Sequence, residues 1–257
     1  MITAPTAGEP AGSPAPVATG QGEPAAVRTA HLAATAILDY GSPEIAALVD
    51  DVRAALGGAP APRPFVQAAH DALTARTQAV YSIDDARPAS ETMRHNAGSC
   101  AQRMACLEAI ARRQGIATRV RALWLRREFW RYRLPLLIPI MPARTLMPWP
   151  QFFLDGKWVD FDEVFGAEAE LAARTNRPFS NRGPSLFDAI KSAPVDLLGK
   201  TGASAYSSCD ISQFVAQDLG FFDTRDEVMQ RFDERTWWGR LIFNVLYGGR
   251  PVRRQPE

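Results

Sequence analysis

A cysteine that opens a helix is the residue of this chain best placed to do chemistry. In Asn96-Ala97-Gly98-Ser99-Cys100-Ala101 the thiol falls in the first turn of a helical segment, directly after glycine and serine. The first N–H groups of a helix lack intrahelical partners. With the helix dipole they favour a thiolate and form a ready oxyanion site for a tetrahedral intermediate. Position alone is not specific, because most cysteines near helix starts are packed apolar residues. Cys106, on the apolar face of the same helix, reads as core. Cys209, in Ser207-Ser208-Cys209-Asp210, precedes another expected helix and is the rival nucleophile, with Ser208 or Asp210 as a simple cap the plainer account. Proton transfer by an imidazole would have to come from His31, His70 or His95, the only histidines. His95 stands five residues before Cys100, and His70 sits on a preceding helix.

The elements that must position these side chains follow from periodicity and punctuation. Residues 1–24 are mostly Gly, Pro, Ala, Thr and Ser and are expected to be disordered. Residues 25–82 read as an N-terminal helical region. Helices are expected over 25–38, from Ser42-Pro43 to Leu56, and over 64–81, with Ser42 as cap and Pro43 at the first helical position. The stretch 82–98 reads as a polar loop with a short turn at 91–95. An amphipathic helix over 99–115 leads into an alternating strand over 116–126. A long connection, 127–148, precedes two apolar runs, 151–154 and 157–161, separated by Asp155-Gly156, a strong hairpin signal. Helices are then expected over 167–173, 185–190, 210–219, 224–232 and 237–246. Residues 83–249 thus form a core with a C-terminal helical extension, and 250–257 should fray. The fold class is α+β, an antiparallel sheet packed on a core helix with helical additions at both ends.

Three groups of residues, taken in order, resemble the core of the transglutaminase-like superfamily. They are Gly98-Ser99-Cys100 with its helix, the run Gln114-Gly115-Ile116-Ala117-Thr118-Arg119-Val120, and Trp149 with Phe152-Phe153-Leu154-Asp155-Gly156-Lys157-Trp158-Val159-Asp160-Phe161-Asp162. The resemblance covers about 80–165 and implies a papain-like site with a Cys-His-Asp triad. Carried over residue by residue, Cys100 is the nucleophile and Asp162 the orienting acid. The base belongs at position 147, counted back from Leu154-Asp155-Gly156-Lys157-Trp158, where this chain has Met147. A thioether carries no proton. Three accounts follow: the thiol acts on an activated acyl group without a base, another group such as His95 moves protons, or the site is degenerate and the fold serves binding. Asp162, with Asp160 and Glu163, is equally read as a solvated strand end. Trp149, Gln151, Met147 and Trp130 are candidate substrate-binding residues, although tryptophans in such strands commonly serve as core.

The resemblance implies acyl transfer or amide cleavage through a Cys100 acyl-enzyme. The substrate is a small molecule or peptide, or an acyl group on an acyl or peptidyl carrier protein in biosynthesis. Arg126-Arg127-Glu128-Phe129-Trp130-Arg131-Tyr132-Arg133 could hold an acidic carrier or its phosphopantetheine arm. The proline-punctuated run 134–150 could form an acyl-binding wall. Net charge of +1 removes any overall field for nucleic acid or anionic membrane. Three cysteines cannot make a disulfide framework and fit a reducing compartment or a reactive thiol. The longest apolar run is far shorter than the ~20 residues a spanning helix needs, and the N-terminus does not read as a signal peptide, so a cytoplasmic protein is expected. No zinc pattern, phosphate loop or covalent cofactor is indicated. The resemblance leaves room for calcium, on which some relatives depend.

Overall fold

A computed structural model describes residues 26–166, 170–171, 179, 181–197, 211–232, 243 and 248–252. The helices are α1 (Pro43–Ala55), α2 (Pro62–Arg76), α3 (Ala89–Arg94), α4 (Cys100–Arg113), α5 (Leu186–Ala189) and α6 (Arg225–Phe232). The strands are β1 (Gln78–Ala79), β2 (Ala97–Gly98), β3 (Thr118–Arg126), β4 (Arg144–Leu154), β5 (Lys157–Asp160) and β6 (Val215–Phe222). Four strands form an antiparallel sheet in the order β5-β4-β3-β6, and β1 and β2 form a short parallel pair. The fold is α+β, with helices against an antiparallel sheet.

Local chemistry accounts for several boundaries. Ser42 Oγ accepts from Ile45 N at 3.4 Å, and Pro43 supplies a pre-set φ to the first turn of α1. Ile45, Leu48, Val49 and Val52 then form one buried stripe. Asp155 and Gly156 both have positive φ, 54° and 78°, as the tight turn between β4 and β5 requires. β5 pairs only with residues 151–154 of β4. Among the described residues the earlier half of β4, which carries Pro148 and Pro150, is therefore an edge on that side, where a missing N–H is tolerated.

Helix α4 departs from the amphipathic reading. Every residue from Gln102 to Arg112 is buried, the polar ones included. Each polar side chain has a designated partner. Arg103 makes a two-pronged contact with Asp188, at 2.7 and 3.0 Å. Glu108 pairs with Arg225, both wholly buried. Arg112 donates to Ala30 O, Ala33 O, Thr118 O and Asp223 O. Charged groups that would cost several kcal/mol each if buried alone are thus used to tie the surrounding elements to one helix.

Two expected helices are corrected. Where a helix is expected over 25–38, the described residues 26–38 form only a 3-10 turn, Thr29–His31. The carbonyls of Ala30 and Ala33 serve Arg112, and Asp226 takes Thr35 Oγ1 and Ile37 N, so these polar groups satisfy tertiary partners instead of a helical ladder. Where a helix is expected over 210–219, the described residues 211–219 make a 3-10 turn, Ser212–Phe214, and enter β6. The helix-like spacing of Val215, Leu219 and Phe222 is overridden by pairing with β3, and Gly220 at φ 85° marks an irregular ladder. Helix α2 also ends sooner than expected, at Arg76, because the chain turns into β1. At the other end, Pro251 bridges to Val80 and Val252 N donates to Ala79 O at 2.9 Å, so 250–252 is tied to β1. The expected helices at 167–173 and 237–246, and Cys209, lie wholly or largely outside the described residues.

His70, 1% exposed, stacks on Phe187 and donates Nε2–H to Phe187 O at 2.7 Å. Burial lowers its pKa below the ordinary 6.5, against the opposing pull of the Phe187 carbonyl and Asp71. Burial also lowers that of His31, against its contact with Asp223. The unfolded chain therefore binds protons first as pH falls. The stability that these histidines contribute is complete above about pH 6.5 and declines below it. The urea midpoint should fall between pH 7 and pH 5.5, and His70→Gln, which keeps a donor, should reduce the fall. An unchanged pH dependence in that variant contradicts the assignment.

Candidate active site

Cys100 is the first residue of α4. Ser99 caps the helix and Gln102 closes a reciprocal capping box: Ser99 Oγ accepts from Gln102 N at 3.3 Å, and Ser99 N donates to Gln102 Oε1 at 2.9 Å. Upstream, β2 pairs with β1 so that Gly98 lies against Thr92 and Arg103. A Cβ on Gly98 would come within 2.7 Å of Thr92 Cγ2, so only glycine fits without displacing a wholly buried threonine. The strand pair and the capping box together fix the height and direction of the first turn.

The Cys100 side chain is partly buried and lines a cavity of about 380 Å³. Its walls are largely apolar, with Trp124, Phe129, Trp130, Leu134, Leu137 and Met147 among them. Much of the wall comes from the proline-punctuated segment after β3, as the sequence suggests. Ser82, Asp85, Arg133, Thr145 and Asn181 are among the polar residues that line it. Trp130 is fixed by an Nε1–H bond to Thr145 Oγ1 at 2.9 Å, and Arg133 by bonds to Asn181 Oδ1 and Pro184 O.

The structure thus places Cys100, Met147 and Trp130 around one space. Asp162 and Trp149 sit together elsewhere: Trp149 Nε1–H donates to Asp162 Oδ1 at 3.2 Å, and its ring lies 5.3 Å from that of Phe161. Trp149 is wholly buried, so this candidate for substrate contact is a core side chain that holds Asp162. Neither is among the cavity-lining residues. Gln151 is also committed elsewhere, accepting from Arg119 Nε at 2.6 Å and donating to Asp160 at 2.7 Å. His95 is 61% exposed and 3.6 Å from Glu91, and it does not line the cavity. His31 and His70 do not either, so the cavity wall holds no imidazole among the described residues. Cys106 is buried in the core, its thiol pushed up to about 12 by desolvation. Sequence reasoning missed Ser82 and Asp85, which sit in a polar loop that carries no motif.

The superfamily comparison bears on the fold. The family model described as the transglutaminase-like superfamily matches residues 50–163, from within α1 to the 3-10 turn that carries Asp162. That stretch is homologous to a superfamily of cysteine-dependent enzymes, and the antiparallel sheet against α4 is consistent with its papain-like core. Searches of the curated proteins and of the solved structures find no match. Among the described residues, no group of three or more His, Cys, Asp or Glu side chains stands where it could hold a metal ion. No helix among them is long and apolar enough to cross a membrane.

Proposed function

We propose that this protein transfers an apolar acyl group by way of a thioester on Cys100. The observation that carries the reading is Cys100, at the start of α4, lining an apolar cavity whose wall has Met147 and, among the described residues, no imidazole. A cavity of about 380 Å³ lined by aromatic and aliphatic side chains favours a hydrophobic acyl chain or an aromatic acyl group. Without an imidazole to activate the thiol or protonate an amine, the donor is one whose leaving group departs readily, namely a thioester. The Cys100 sulfur attacks the carbonyl carbon, the new C–S bond forms, and the donor C–S bond breaks. The thiol proton ends on the released thiol through solvent. An amine or water then takes the acyl group. Exposed Arg126 and Arg131 beside the cavity segment suit an acidic carrier protein as the source of the donor.

The test is intact-mass measurement after incubation with acyl thioesters of graded chain length. The wild-type protein gains the acyl mass, longer chains react faster than acetyl, and Cys100→Ala gains nothing. The missing imidazole supports a second reading, a noncatalytic protein that binds an apolar ligand in the same cavity. That reading gains if ligands bind with no adduct.

A further inference from the structure

Gln102 does more than close the capping box. Its Oε1 accepts from Ser99 N, which can only donate, and its Nε2 donates to Asp84 O at 2.7 Å, which can only accept. These two partners fix the orientation of the amide. The remaining Nε2–H therefore points to Ser82 Oγ, at 3.0 Å. Ser82 Oγ also accepts from Asp84 N at 3.2 Å. A serine hydroxyl has two acceptor positions and one proton. Both acceptor positions are occupied by N–H donors, so Ser82 is left with a single role, donation of its O–H. Acceptance of two N–H bonds polarises that hydroxyl and strengthens it as a donor. Ser82 and Cys100 line the same cavity, and Gln102 stands two residues along α4 from the thiol.

We infer that the Ser82 hydroxyl donates to the carbonyl oxygen of the acyl group as Cys100 attacks it; this assignment rests on the thioester reading above. When the sulfur–carbon bond forms, the carbonyl π pair moves onto oxygen. The resulting oxyanion accepts from Ser82 Oγ–H and from backbone N–H groups at the start of α4, with no proton changing owner. As the donor C–S bond breaks, its electron pair leaves on the thiolate, and the carbonyl re-forms while Ser82 keeps its proton. Gln102 acts as a positioning residue: it holds Ser82 in the donor state and contributes nothing directly to the reacting atoms.

Two reactions of the same thiol separate the role of Ser82 from mere upkeep of the fold. Acylation by a thioester builds an oxyanion, whereas alkylation by iodoacetamide displaces iodide at saturated carbon and builds none. Loss of one oxyanion donor slows acyl transfer on the order of 100-fold. Ser82→Ala should lower the second-order rate of Cys100 acylation by about that factor, leave alkylation within about twofold, and be rescued in part by Ser82→Thr. Acylation of Ser82→Ala at the wild-type rate, or equal slowing of both reactions, overturns the assignment and leaves the thioester reading standing. A wild-type protein that is alkylated at Cys100 but acylated by no thioester overturns both.

Discussion

Glu108→Ala should cost about 3–5 kcal/mol of stability, a large fraction of what a single domain possesses. Glu108 and Arg225 are both wholly buried, and the Arg225 Nε–H bond to Glu108 Oε1 is 3.1 Å. Removing the carboxylate leaves the guanidinium without its counter-charge in the core. Glu108 Oε2 and Arg225 Nη1 have no hydrogen-bond partner among the described residues, so the pair is imperfectly satisfied even when intact. Its worth lies in what it connects. Arg225 starts α6 and also contacts Pro148 O at 3.5 Å, next to Met147 on β4, while Glu108 belongs to α4. The pair therefore joins the helix that presents Cys100 to the strand that presents Met147. The urea midpoint of Glu108→Ala should drop sharply with little change in the slope. The double variant Glu108→Leu with Arg225→Met should recover most of the loss, because two apolar side chains of similar volume replace both charges. A single variant within about 1 kcal/mol of wild type contradicts the account of α4 as a charge-tied core helix.

Met147→His should produce the largest gain. Met147 is 4% exposed and lines the cavity that Cys100 shares. An imidazole there supplies a proton carrier suited to neutral pH, which no histidine among the described residues of the wall provides. General acid–base catalysis contributes roughly 10²–10⁴-fold when the group is in reach of the reacting atoms. The expected result is Cys100 acylation from oxygen esters and amides that the wild type ignores, with a rise of about 100-fold for the best of them. The gain should follow the deprotonation of the imidazole, low below about pH 6 and full above about pH 7. No gain with any acyl donor, in a variant that folds with an unchanged urea midpoint, shows that position 147 cannot serve the thiol.

Much of the framework is legible in the residues themselves. Ser42-Pro43 starts α1, Asp155-Gly156 turns β4 into β5, and Gly98-Ser99-Cys100 marks the start of α4. Each signal acts within a few residues, where steric and hydrogen-bonding rules leave few choices. What the sequence conceals is set by partners far along the chain. The polar residues of α4 look like a solvent face until Glu108 is seen against Arg225, which lies 117 residues away. The segment before α1 has helical spacing, but the Arg112 guanidinium takes two of its carbonyls. β6 has the same fault: its apolar spacing suits a helix, and only the free edge of β3 makes it a strand. At the site, Cys100 and the apolar segment after β3 could be read, since one is a helix start and the other a run too apolar to leave in water. Ser82 could not, because its role comes from the Gln102 amide that reaches it across the loop.

The most direct measurement is time-resolved intact mass of the wild-type protein and Cys100→Ala with one apolar acyl group presented as a thioester and as the matched amide. Acyl mass gained from the thioester alone, located on Cys100 by peptide mapping and absent from the alanine variant, is the predicted result. Acylation from both donors alike, an adduct on another residue, or no adduct at all contradicts the claim that this thiol accepts activated acyl groups without a histidine.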